Sequence, residues 1–402
     1  MLRQITSRHE FALLFAIIVI LILTTLMDSQ HSYWNNPGPS AVDILRQTAF
    51  LGIFALGAAI VIISGGIDLS SGSMIAFSGT ICATLMLVLA PEEMKSAEPV
   101  GVWVITLAIL GTMVVAFLIG SLHAWLITSL GLPPFVATLA SLVGLRSVGR
   151  ALVEYVNNGA SQINIFDEQF RYLATSVWIP VLIFVVLSAL TWIFMTRTVL
   201  GRHIYALGGN EDAARLSGIR TVRLKWVAYC LSAFLSAIAG ILYVGDQSVA
   251  APESLGRAYE LNAIAAAVVG GCSLHGGVGT IPGTILGAFF LRIVIDGVAK
   301  IIKSGADVYE GLIVGIVVVF AVALSQFREA AAVGRRFFVG ALGLVAIVTL
   351  SAVAGAVAML FSDSAGMNSK LVGTATGVLT LVVLIGAFTA ESAVARRKKQ
   401  QR

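Results

Sequence analysis

Apolar segments of about 20 residues recur along almost the whole of this 402-residue chain and leave it few ways to fold. Crossing the hydrocarbon core of a bilayer takes roughly 17–25 apolar residues in a helix. Candidate spans are residues 11–27, 45–64, 73–89, 102–127, 135–153 and 177–195, followed by 226–244, 263–271, 281–298, 310–324, 337–361 and 371–390. The expected architecture is an all-α polytopic membrane protein of about twelve transmembrane helices. The piece at 263–271 is short and bounded by glycine. Composition agrees, because 12% of the residues are charged, about half the share in a soluble domain. Gly, Ser and Thr recur inside the runs, as expected where membrane helices pack closely.

Charge placement gives an orientation. Basic residues gather at the ends of apolar runs, so the net charge of +5 needs no nucleic-acid partner. With the N-terminus inside, the polar stretch after residue 195 is cytoplasmic with Arg197, Arg202, Arg215, Arg220, Arg223 and Lys225. The same side receives Arg328, Arg335 and Arg336, then Arg396, Arg397, Lys398, Lys399 and Arg402. The acidic PEEMKSAEP (91–99) and residues 154–176 fall outside. An N-in, C-in topology follows, and the C-terminal RRKK reads as its anchor. The run 11–27 follows Arg3 and Arg8 without a small-x-small cleavage pattern after it, so it reads as a first membrane helix and not a cleaved signal. Cys82, Cys230 and Cys272 lie in apolar stretches at scattered spacings and read as buried side chains.

Catalytic and metal-binding patterns are missing from the sequence. It contains no GxxxxGK[ST] phosphate loop, HExxH or CxxC, so the chain is not expected to bind and hydrolyse ATP itself and no metal site is expected. His9, His31, His123, His203 and His275 are scattered, and His123, inside an apolar run, reads as a core histidine satisfied by a neighbour.

Four segments break the apolar pattern. In SGGIDLSSGS (64–73), Asp68 lies among Gly65, Gly66 and Gly72, so the helix is expected to break there. Broken backbone at membrane depth needs protein or a water-filled cavity around it. Asp68 with Ser70 suits both a cap on the next helix and a lining of the path. ELNAIAAAVVGGCSLHGGVGTIPGT (260–284) holds Asn262 in an Ala-rich half-helix, then Gly270, Gly271, Gly276, Gly277 and Gly279, which permit tight turns and close backbone approach. In PPFVATLASLVGLRSVGR (133–150), Arg146 and Arg150 share a helical face and are expected to snorkel to an interface. Arg292 and Asp296 are likewise four apart and are expected to pair along one helix. Lastly GRHIYALGGNEDAARLSGIRTVRLK (201–225) is a basic, polar hairpin between two oily runs. GGN can end one element. EDAARLSG can form a short helix with Glu211 and Asp212 in its first turn and Gly218 at its end.

Taken in order, SGGIDLSSGS, PPFVATLASL with LRS and NNG (157–159), GRHIYALGGNEDAARLSGI and ELNAIAAAVVGGCSLHGGVGTIPGT resemble the permease subunits of bacterial ABC importers for simple sugars, the ribose/xylose/galactose type. The resemblance covers about residues 45–326. It implies a permease core at 1–328 of about ten spans with re-entrant helices, and an additional transmembrane hairpin and basic tail at 329–402. It also implies a homodimer around a central path in the bacterial inner membrane and an extracytoplasmic sugar-binding protein. ATP and Mg would be bound by a separate ABC ATPase and not by this chain. By the same resemblance, Gly208, Gly209, Asn210, Glu211, Ala213, Ala214, Arg215, Ser217 and Gly218 belong to the segment that couples to that ATPase. Asp68, Ser70, Asn262, Gly270, Gly271, Gly276 and Gly277 are candidates for the path or its broken helices.

Two departures stand out: the family commonly has an acid at the place of Asn262, and YEGLIVG (309–315) replaces an aromatic-Gln-x-x-x-Lys-Gly pattern. The alternative reading is an ion-coupled secondary transporter of small polar solutes. Paired intramembrane acids or a relay histidine would favour it, and Asp68 is its one support.

Overall fold

The computed structural model describes residues 8–28, 30–301, 340–364 and 368–400, with a few isolated positions between 311 and 319. Among the described residues ten helices are long and apolar enough to cross a membrane. They are α1 (Arg8–Met27), α3 (Pro37–Ile63), α4 (Ser71–Leu89), α6 (Val102–Thr128), α7 (Pro134–Val156), α9 (Trp178–Arg197), α12 (Thr221–Gln247), α14 (Ile281–Ile301), α15 (Gly340–Ser364) and α16 (Ser369–Gln400). Shorter helices lie between them: α2 (Ser32–Asn35), α5 (Pro91–Ser96), α8 (Glu168–Thr175), α10 (Val199–Gly209), α11 (Glu211–Leu216) and α13 (Tyr259–Val269). Ten of the twelve expected spans are therefore present. The short eleventh corresponds to α13, whose 11 residues reach about 16 Å and cannot cross alone. The twelfth, 310–324, lies largely outside the described residues. Pro37, Pro91 and Pro134 open α3, α5 and α7, where the missing N–H costs nothing.

Three helices form the centre. Buried residues make up 89% of the most apolar stretch of α3 and 78% of those of α4 and α12, against 28% for α6, α7 and α9. α12 runs between α3, α4 and α6, and small residues let it approach closely. A Cβ on Gly57 would lie 2.9 Å from Ser232 Cα, and one on Gly120 only 2.6 Å from Cys230 Cα. Small residues at these crossings let the backbones pack directly on each other, and the Trp226 indole N–H adds a bond from α12 to Ser121 Oγ of α6 at 3.0 Å. Phe54 and Tyr259 stack at 6.0 Å between centroids and fill the space where α13 meets α3. α1 leans on α14 at the edge. The last two helices, α15 and α16, pack chiefly on each other, with a Cβ on Gly355 falling 2.9 Å from the Gly373 carbonyl oxygen.

Because successive spans alternate in direction, their connections gather at two ends. The hairpin end carries 64–70, 129–133, 198–220 and 270–280; the far end carries 28–36, 90–101, 157–177 and 248–258. The stretch 154–176, which reads as plain loop in the sequence, is built. Strand β1 (Ile163–Asn164) pairs antiparallel with β2 (Val249–Ala250). Asp167 caps α8 by accepting Phe170 N–H at 2.7 Å and accepts Val100 N–H at 2.9 Å.

The expected Arg292–Asp296 pair does not form. Asp296 accepts the Tyr33 hydroxyl at 2.7 Å and pairs with Lys300 at 3.7 Å, while Arg292 faces Asp43 at 4.0 Å. The helix face they share meets α2 and α3, which offer partners to both.

Candidate functional site

After α9 the chain turns sharply, with Thr198 accepting Gly201 N–H at 3.0 Å to cap α10. Gly201, Ile204 and Leu207 are the buried face of α10, so this helix lies on the body as an amphipathic element that the polar sequence concealed. Asn210 separates it from α11 and accepts Ala213 N–H at 2.9 Å, a side-chain N-cap. Glu211 and Asp212 occupy the first turn. α11 closes with Gly218 at φ +81°: Gly218 N–H donates to Arg215 O at 3.0 Å and Ile219 N–H to Ala214 O at 3.1 Å. That double bond pattern requires a left-handed residue at its corner. Only Ala214 of α11 is buried, whereas Leu216 is 87% exposed. The sequence reading passed over Leu216, whose one signal was an apolar residue in a short charged helix.

Two ties hold the hairpin to the membrane body. Lys225 Nζ lies 2.7 and 2.8 Å from the two oxygens of Glu211, joining α11 to α12. The second tie is backbone on backbone. Gly208 near the end of α10 meets the end of α3 and the loop before α14 so closely that a Cβ there would overlap the Ile63 carbonyl and lie 2.5 Å from Gly277 N. Gly277 N–H itself donates to Ile63 O at 2.9 Å. Gly276, at φ +85°, would place a Cβ 2.7 Å from Gly208 O and 2.8 Å from Gly65 Cα. The Tyr205 hydroxyl adds a bond to Gly279 O at 2.9 Å. Three glycine motifs far apart in sequence thus meet at one junction. Beside it opens a cavity of about 260 Å³ whose walls include Ser64, Gly66, Tyr229, Lys225 and His275.

From Gly65 the chain returns into the protein as a non-helical piece before α4 begins. Asp68 on this piece is buried. Its Oδ1 accepts the Ser70 amide at 2.9 Å and the Ser70 hydroxyl at 2.5 Å, and its Oδ2 accepts the Ser232 hydroxyl at 2.7 Å. Ser232 is eleven residues into α12, about 16 Å from its start. Leu69 N–H is satisfied by Thr138 Oγ1 of α7 at 3.1 Å. Protein side chains therefore supply the partners that non-helical backbone needs at this depth. The expected Ser70 cap is modified: Ser70 occupies the N-cap position of α4 but makes no cap bond with its side chain, because its hydroxyl is turned back to Asp68. His123 meets Ser141 Oγ at 2.7 Å, a partnered core histidine.

A second irregular segment, 251–258, precedes the half-helix α13. Arg146 reaches it from α7, donating through Nη1 to Pro252 O at 3.0 Å and Leu255 O at 2.8 Å, and through Nη2 to Gly256 O at 2.8 Å. The expectation that Arg146 snorkels is thus overturned: three carbonyls outside any helix need donors, and a guanidinium carries five. Arg150, one turn on, does point outward and pairs with Glu154 at 2.8 Å and with Glu253. α13 ends at Gly270 with Gly271 at φ +96°, and Gly270 packs against the Gly283 backbone of α14. Asn262 is buried on α13, away from the hairpin junction that gathers Gly208, Gly209, Gly276 and Gly277.

Residues 40–322 match the family model described as "Branched-chain amino acid transport system / permease component". The chain belongs to this permease family. The ribose import permease protein RbsC of Escherichia coli K12 is 34% identical over 324 residues, covering 79% of this chain and 93% of that protein. The galactose/methyl galactoside import permease protein MglC of the same strain is 33% identical over 301 residues, covering 72% and 86%. A probable ABC transporter permease protein, y4mJ of Sinorhizobium fredii, is 33% identical over 328 residues, covering 80% and 90%. No solved structure matches. With ten membrane-length helices among the described residues, the protein is a multi-pass membrane permease.

Proposed function

We propose that this chain is the membrane-spanning subunit of an ATP-driven importer for a simple sugar of the ribose, xylose or galactose kind. It lies in the bacterial cytoplasmic membrane with both termini in the cytoplasm. Two copies flank a central path. A separate ABC ATPase binds ATP and Mg, and an extracytoplasmic sugar-binding protein delivers the cargo. This chain contributes no covalent chemistry. The sugar import named for RbsC and MglC supports the cargo class. The observation that carries the mechanism is the hairpin: the short helix α11 is capped at both ends and exposed on its outer side, and it follows α10, whose Gly208 lies in backbone contact with α3 and the loop before α14.

In this reading α11 is the coupling segment, and Leu216 is the apolar anchor that a groove of the ATPase covers. The residues 329–402 form a peripheral addition that returns the chain to the cytoplasm. An ion-coupled carrier would draw on Asp68, yet both oxygens of that carboxylate are already engaged by Ser70 and Ser232. Replacing 208–219 with a flexible linker should abolish uptake in reconstituted vesicles and release the ATPase during purification. Leu216→Asp should lower ATPase retention at least tenfold. Accumulation of ribose or galactose against a gradient by this chain alone would overturn the reading.

A further inference from the structure

We propose that Gly208 and Gly276 are positioning residues for the transport stroke. Motion of α11 enters the membrane body through their backbone junction with Ile63 and Gly65, and reaches the buried Asp68–Ser232 contact by that route. The inference rests on the coupling role given to α11 above and adds the path by which the motion travels.

The hairpin has two other mechanical connections to the body, the turn into α9 and the turn into α12. The turn into α9 is close-packed, a Cβ on Gly201 meeting the Phe194 and Met195 backbone, but it leads to α9 and not to α3. α11 itself joins Gly208 through Asn210, which is held as its N-cap. The turn into α12 passes through the non-helical Arg220, and the Lys225–Glu211 tie beside it is made by side chains 22% and 45% exposed. Side-chain ion pairs at such exposure stretch and re-form at little cost. The junction has no such slack. Gly208 has the Ile63 carbonyl and Gly277 N against its Cα, and Gly276 has Gly208 O and Gly65 Cα against its own. Peptide groups in direct contact transmit displacement because packed interiors are close to incompressible.

The destination follows from the chain itself. Gly65 is three residues from Asp68 along a short non-helical piece, and Asp68 holds that piece to α12 through Ser232 and to the start of α4 through Ser70. A shift of α10 and α11 therefore moves the end of α3 relative to α12 and displaces the start of α4. The same shift moves the 272–279 loop, where Gly277 N–H is bonded to Ile63 O and Tyr205 to Gly279.

A glycine outside the hairpin supplies the control. A Cβ on Gly144 of α7 meets nothing within 4 Å, whereas one on Gly208 meets backbone on two sides. In the reconstituted complex with its ATPase and binding protein, Gly208→Ala should lower ribose or galactose uptake at least tenfold. ATPase retention and hydrolysis should stay within twofold of the parent, so transport per ATP falls. Gly144→Ala should leave all three unchanged. If Gly208→Ala transports like Gly144→Ala, the junction is not the route, although the coupling segment stands as long as the linker replacement abolishes uptake. Loss of the ATPase from Gly208→Ala would also overturn the proposal, by assigning Gly208 to docking.

Should Gly208→Ala fail to assemble, the parent complex provides a second measurement through buried Cys272 on the moving loop. Its maleimide labelling, read by peptide mass, should change at least threefold between the nucleotide-free and ATP-trapped complexes. An unchanged rate in a complex that still couples hydrolysis to uptake would overturn the route.

Discussion

The two ends of the permease hold their elements together by opposite means. At the hairpin end α3, α10 and the loop before α14 meet through glycine backbone, with Gly208, Gly276 and Gly277 in contact with Ile63 and Gly65. At the far end α3, α12 and α14 are lashed by charge. Arg46 pairs with Asp246 at 3.0 Å and Asp43 at 3.6 Å, Arg292 faces Asp43, and Asp296 takes Lys300 and Tyr33. Three cations face three carboxylates there, so the cluster is neutral. Long side chains tolerate relative motion of the helices that carry them, whereas touching peptide groups do not. On the coupling role proposed for α11, the far end would be the pivot and the hairpin end the point where force enters.

Breaking the far end should cost the most. Asp246 and Arg46 have side chains only 9% and 23% exposed, so Arg46→Met strands a buried carboxylate and should destabilise the fold by about 3 kcal/mol. The double variant Arg46→Met with Asp246→Leu should recover most of that loss, since replacing a whole buried pair is often nearly neutral. Thermal unfolding of the purified permease measures both. A double variant as unstable as the single one would show that Asp246 matters for packing and not for charge.

Next in size is Gly276→Ala at the other end. It combines a left-handed backbone at φ +85° with two backbone neighbours inside 3 Å, a strain of about 1–3 kcal/mol. No partner substitution should rescue it, because the obstacle is main chain. A second-site side-chain change that restored both melting temperature and uptake would mean that this junction is as adaptable as the ionic one.

How much of this was readable in advance varies with the range of the interaction. The long spans were legible because hydropathy alone specifies them, and α11 because Asn210, Glu211, Asp212 and Gly218 announce a helix start and stop within nine residues. α10 was not, since its buried face of Gly201, Ile204 and Leu207 is sparse and glycine-rich. The Gly-Gly pairs at 65–66, 208–209 and 276–277 signal close approach without saying to what. Arg146 taught the same lesson: spacing put it on a face with Arg150, while its acceptors lie 106 to 110 residues away. Asp296 and Arg292 satisfied a local rule and still found partners elsewhere, because α2 and α3 were nearer than the sequence could reveal.

The smallest effect concerns Arg150, and it separates exposure from chemistry. Arg150 carries two carboxylate partners, Glu154 and Glu253, as Arg46 carries Asp43 and Asp246. Its side chain is 50% exposed, and those of Glu154 and Glu253 are 40% and 61% exposed. Water solvates the charges left behind when such a pair is cut, and ordering the long side chains offsets much of the attraction. Arg150→Gln should therefore leave the melting temperature of the purified permease nearly unchanged. Arg146→Gln, one turn earlier, should do more, because Pro252, Leu255 and Gly256 each lose a donor. If Arg150→Gln proved as damaging as Arg46→Met, the far end would be governed by the number of its ion pairs and not by their burial, and its flexibility relative to the glycine junction would no longer follow.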